Sequence, residues 1–130
     1  MVHFLAATDS VETSERLCEY LSGRVDTDDT VSALNSLRGG DDTDDGDIRA
    51  GEEAVDYVAE ALDCAVETRQ FVRGNAPATD VFEFAEENDV DEIVIGIHKR
   101  NPTGKVIFGS TAQDILLESD WPIVAVPAHW

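Results

Sequence analysis

Strand-like and helix-like segments alternate along the whole of this 130-residue chain, and that alternation excludes most folds. Residues 2–7, 30–37, 66–72, 92–96 and 123–126 are short and apolar or loosely alternating, as strands are. Between them lie amphipathic stretches with helix signals. Ser10 offers a cap ahead of Leu17, Tyr20 and Leu21, and Gly23 stops that helix. From Gly51, the positions Ala54, Val55, Val58, Ala61 and Leu62 repeat at helical spacing to about Cys64. Thr79 or Asp80 is expected to cap a helix that turns Val81, Phe82 and Ala85 inward and ends at Asn88. Residues 110–119 place Ala112, Ile115 and Leu116 on one face. Repeated strand–helix–strand units imply one α/β domain: a five-stranded parallel sheet with helices on both faces. The run Ile93-Val94-Ile95 is the most apolar and is expected at the centre, 66–72 at an edge, and Pro127 at the end of the last strand.

Ligands of such sheets bind beyond the carboxyl ends of the strands, where the strand order reverses. The chain carries a suitable device there. The apolar run ends in Gly96, passes through a basic Pro/Gly loop, and restarts at Gly109-Ser110 before a helical pattern. Glycine and a helix N-terminus together cradle anions, because unpaired N–H groups and a partial positive charge meet the ligand there. Both lysines of the chain, Lys99 and Lys105, fall in this loop. If the first and fourth strands are neighbours, Thr8-Asp9-Ser10 faces the same crevice. Asp9 can equally be a helix cap, Gly96 a strand terminus and Ser110 an N-cap.

The charge balance narrows the class further. Asp and Glu number 28 against 9 Lys and Arg, a net charge of −19. Non-specific nucleic-acid binding needs a basic stripe, so no nucleic-acid partner is expected. The acids punctuate every amphipathic segment instead of forming a tail, which predicts a surface suited to molar salt, where screening is short-ranged. No apolar run approaches a membrane span and no charged-then-apolar leader opens the sequence, so a cytoplasmic protein without a membrane partner is expected.

Cys18 and Cys64 lack CxxC spacing and read as free thiols, and His3, His98 and His129 lack ligand spacing, so no metal site is expected. Asp41 to Glu52 imitates a calcium loop at several positions, but Thr43 and Arg49 are poor ligands and a strand-like segment precedes it. A solvated loop is the expectation. Thr103-Gly104-Lys105 fails as a P-loop, since no glycine stands five residues before Gly104. No nucleophile elbow or cysteine–histidine pair suggests an enzyme.

The chain resembles the universal stress protein family along nearly its full length. The resemblance rests on Ala6-Ala7-Thr8-Asp9-Ser10, Arg73-Gly74-Asn75-Ala76, Asp91 to Gly96, Gly109-Ser110-Thr111-Ala112 and Trp121 to Val126, in order and at family-like spacing. It implies a Rossmann-like fold, a stress-response role and a homodimer paired through the last strand. ATP-binding members carry Gly, two residues, Gly, nine residues, then Gly-Ser or Gly-Thr. This chain supplies Gly96 and Gly109-Ser110 at that interval, with Lys99 at the middle glycine position. By position, the resemblance implies ATP, with accompanying Mg2+ left open, held by Ala7, Thr8, Asp9, Gly96, His98, Lys99, Gly109, Ser110 and Thr111. The alternative is an interaction module of the same fold that binds no nucleotide.

Overall fold

The computed structural model of the chain describes residues 1–98 and 109–128. The described residues form β1 (His3–Ala7), α1 (Val11–Ser22), β2 (Thr30–Leu37), a 3-10 turn (Gly40–Asp42) and α2 (Asp45–Ala61). There follow β3 (Ala65–Val72), α3 (Pro77–Glu87), β4 (Glu92–His98), α4 (Ser110–Glu118) and β5 (Ile123–Ala128). All pairs are parallel and the order is β3-β2-β1-β4-β5. The α/β fold and the edge position of β3 are as the sequence implies. The centre differs. β1 takes it, and β4 lies beside it. Both strands are buried on their two faces, so apolar content alone does not separate a central strand from its neighbour.

Side chains of the buried strands alternate between two cores. On one face Phe4, Ala6, Val31, Ala33 and Val94 meet α1 through Leu17, Cys18 and Leu21, and α2 through Val55 and Val58. On the other, Leu5, Leu34, Ile93 and Ile95 meet α3 through Val81, Phe84 and Ala85, and α4 through Ile115. Val124 is half-buried against the first core.

Three local expectations change. α2 begins at Asp45, well before Gly51, inside the acidic stretch expected to be a loop. Asp44 caps it by accepting from the Asp47 N–H at 2.8 Å, while Asp47 accepts from the Asp44 N–H at 3.0 Å. The first turns face water and so lack an apolar stripe. With Asp45 to Glu52 helical, the calcium-loop geometry cannot form. α3 starts at Pro77, whose missing N–H suits a first helical position, and neither Thr79 nor Asp80 caps it. Pro127 lies within β5 opposite Ile97, not after it. β5 is an edge strand, where an absent donor is tolerated.

Candidate functional site

Because β1 and β4 are neighbours while their following helices pack on opposite faces, the strand order reverses between them. A cavity of about 290 Å³ opens at this point, beyond the carboxyl ends of β1, β2 and β4. Its volume lies near the lower end of small-molecule sites. Ala7, Thr8, Asp9, Gly96, Gly109, Ser110 and Thr111 all line it, so the segments singled out in sequence converge in space. Lys99 and Lys105 lie outside the described residues. β4 runs through His98, whose side chain is likewise outside them.

Ser10, not Asp9, caps α1, its side chain accepting from the Thr13 N–H at 3.2 Å. Asp9 is exposed at the cavity rim, free of a capping duty. Ser110 is the first residue of α4 and not its cap; Gly109 occupies that place. α1 and α2 are capped by side chains, whereas α4 has no side-chain cap bond among the described residues. Its leading N–H groups therefore stand at the cavity wall with the positive end of the helix dipole. Gly109 has an ordinary φ of −64°, and a Cβ there would meet nothing within 4 Å among the described residues. Gly96 is different. A Cβ would lie 2.7 Å from Thr13 Cγ2, so glycine is needed for α1 to approach β4. That packing role stands beside any ligand role.

Beneath the cavity lies a buried polar layer. Asn35 Nδ2 donates to the Thr8 carbonyl at 3.0 Å, and Asn35 Oδ1 accepts from Gln70 Nε2 at 3.0 Å. Gln70 Nε2 also donates to the Ile48 carbonyl of α2 at 2.9 Å. The Thr8 and Ser14 hydroxyls lie 2.7 Å apart, and Ser14 donates to the Ala54 carbonyl at 2.7 Å. These bonds fix the floor where β1 gives way to α1. The wall toward α3 is formed by Ser36, Pro77 and Val81. Sequence reasoning missed Asn35 and Ser36, which lie in the segment 30–37 read only as a strand. An asparagine amid buried apolar residues is itself a signal, since buried amides are kept only where they are bonded.

A second hollow, of about 480 Å³, lies at the opposite end of the sheet. Asp26, Asp28 and Asp63 line it, which disfavours an anionic ligand. The described residues hold no group of three or more potential metal ligands. Burial pushes the Cys18 thiol up to about 11, and raises Cys64 as well, so neither is an activated nucleophile.

The sequence profile of the Universal stress protein family matches residues 1–127. A universal stress protein of Mycolicibacterium smegmatis is 36% identical over 103 residues, which are 78% of each chain. Among solved structures, a universal stress protein from Archaeoglobus fulgidus superposes with a TM-score of 0.78 at 34% identity, covering 97% of this chain and 98% of that one. The structure of the Archaeoglobus fulgidus universal stress protein in complex with dAMP gives 0.71 at 29% identity, again covering 97% and 98%. No helix among the described residues is long and apolar enough to cross a membrane.

Proposed function

Since this chain belongs to the universal stress protein family, we propose that it is a cytoplasmic stress-response regulator that binds a nucleotide, ATP, in the crevice between β1 and β4. One observation carries the reading: the cavity at the strand reversal joins the exposed Asp9 to the N-terminus of α4, which has no side-chain cap bond among the described residues. An anion at that terminus meets N–H groups and the helix dipole, with the Ser110 and Thr111 hydroxyls beside them. The dAMP complex of the 29% identical relative, which shares the fold over nearly the full chain, supports a nucleotide as the occupant.

Its role is binding and regulation, with at most slow ATP turnover in the bound complex, and any Mg2+ accompanies the triphosphate. It pairs as a homodimer through β5, which lies at an edge of the sheet among the described residues. Its dispersed acids suit molar salt. Its melting temperature is expected to rise between roughly 0.1 and 3 M KCl as screening shortens. The binding test is mass spectrometry of nucleotide released from freshly purified protein, followed by calorimetry with ATP in high KCl. Stoichiometric nucleotide or saturable binding is expected. Absence of both favours the second reading, an interaction module in which Lys99, standing at the middle glycine position of the motif, has closed the site.

A further inference from the structure

The two edges of the sheet are guarded differently. β5 carries Pro127, which removes a donor from any further ladder. β3, at the other edge, runs for eight residues without proline or glycine, and among the described residues it pairs only with β2. Such an edge is a template for another strand unless its side chains forbid pairing. Here the guards are Glu67 and Arg69, and their charges are opposite.

Alternation along β3 decides where these two stand. Val66 packs on the first core, and Gln70 donates to the Ile48 carbonyl of α2. Phe71 packs against the second core. Glu67 and Arg69 share the face of Phe71, with side chains 47% and 49% exposed. Within one copy Arg69 folds back along its own strand. Its Nη2 lies 3.6 Å from Glu67 Oε1, and its Nη1 donates to the Thr68 carbonyl at 3.0 Å. An exposed pair of this kind adds little to the fold.

We propose that β3 is a second interface, and that its occupant is β3 of another copy of this chain, set antiparallel. A two-fold axis normal to the sheet produces that pairing and keeps like faces together. The axis must then pass between one residue and its own counterpart. Centred on Glu67 or on Arg69, it sets two like charges directly opposite each other. Centred on Val66 or Gln70, it shortens the ladder and places Glu67 opposite Ala65, or Arg69 opposite Phe71. Centred on Thr68, it pairs residues 65–71, and each Glu67 faces Arg69 of the other copy, twice by symmetry. One register alone is fully complementary in charge, so side chains that repel other strands specify this one. The net charge of −19 on each copy opposes association at low salt. Molar salt shortens that repulsion to roughly 3 Å and leaves groups in contact within range. This interface is separate from the crevice and lies at the edge opposite β5, so it adds to a β5 dimer instead of replacing it.

The test is sedimentation of the full chain over a range of concentrations in about 3 M KCl, where long-range repulsion is screened. The parent is expected to associate one step beyond Glu67→Arg: tetramer against dimer where β5 also pairs, dimer against monomer where it does not. The variant should associate about tenfold or more weakly, since two attractive pairs become two repulsive ones. General repulsion predicts the reverse, because Glu67→Arg lowers the net charge from −19 to −17. Arg69→Glu should weaken association likewise. The double variant, Glu67→Arg with Arg69→Glu, restores both the complementarity and the parent's net charge, and should recover the parent's assembly. Identical sedimentation of parent and Glu67→Arg, tighter association of that variant, or a double variant that fails to recover each overturns the β3 interface, and none of them touches the nucleotide reading.

Discussion

The two faces of the sheet finish differently at its carboxyl edge. Beneath α1 and α2 the packing is closed, and two glycines permit it. A Cβ on Gly51 would overlap Asn35 Oδ1 and lie 2.6 Å from Gln70 Nε2, and one on Gly96 would lie 2.7 Å from Thr13 Cγ2. Beneath α3 and α4 the same edge is hollow. α4 fully buries Ile115 alone and leaves Leu117 75% exposed, and a Cβ on its cap, Gly109, would enter open space among the described residues. Interiors normally pack to crystal-like density, so a cavity that reaches between α3 and α4, with Thr13 of α1 only at its wall, is a feature of that side. One pair of helices seals the fold, and the other pair frames a site.

The largest effect should come from breaking the closed face at its centre. Val94 is fully buried between β4 and the first core, with no charged partner there. Val94→Asp should cost about 4 kcal/mol or more, as a buried unpaired charge does. A thermal melt within a degree or two of the parent would refute the packing assigned to that face. Next comes Gly51→Val, which drives a side chain into the Asn35–Gln70 layer and places a β-branched residue in a helix. We expect a loss of about 3 kcal/mol in urea unfolding. A neutral result would mean that α2 does not approach β2 and β3 as closely as Gly51 allows.

Asp80 sharpens the comparison from the open face, where its charge holds Ser36, Arg73 and Asn75 in place. Asp80→Asn should cost about 2 kcal/mol near neutral pH, the scale of hydrogen bonds to a charged group. Its folded pKa lies below the unfolded value of about 3.9, so the stabilisation is present above that pH and is lost as pH falls through the folded value. The gap between the parent and Asp80→Asn should hold constant from neutral down to about pH 5 and narrow below about pH 4. A gap that widens on acidification would contradict an ionised Asp80.

The same contrast explains what could be read from the sequence. Strand segments, the cap at Ser10 and the end of α3 follow from local periodicity and capping, so they were legible. The residues of the cavity that lie at strand and helix ends, such as Asp9, Gly96 and Ser110, carry local signals as well. The start of α2 was hidden because its first turns face solvent and show charge without periodicity. Asn35, Ser36 and Asp80 were hidden for a different reason. Each is defined by partners far away in sequence: Thr8 and Gln70 for Asn35, and a separation of 44 residues between Ser36 and Asp80. No local pattern distinguishes such a buried polar residue from a weak point in a strand or a first-turn acid.

The smallest stability effect, and the most informative about the open face, is expected at Gly109. Its φ of −64° and ψ of 159° are accessible to any residue, and no described atom lies within 4 Å of where a Cβ would stand. Gly109→Val should therefore cost at most about 1 kcal/mol, the difference between a fair and a poor helix cap. Its effect on ligand should be far larger than its effect on the fold. A branched side chain at the cap of α4 occupies the space through which an anion would reach the leading N–H groups of that helix. We expect ATP affinity to fall at least about tenfold, equivalent to about 1.4 kcal/mol, while the melting temperature hardly moves. At Gly51 the order is reversed, because there the added side chain meets protein instead of ligand space. If Gly109→Val binds ATP as the parent does, the phosphates do not lie at α4, and the open face needs another occupant.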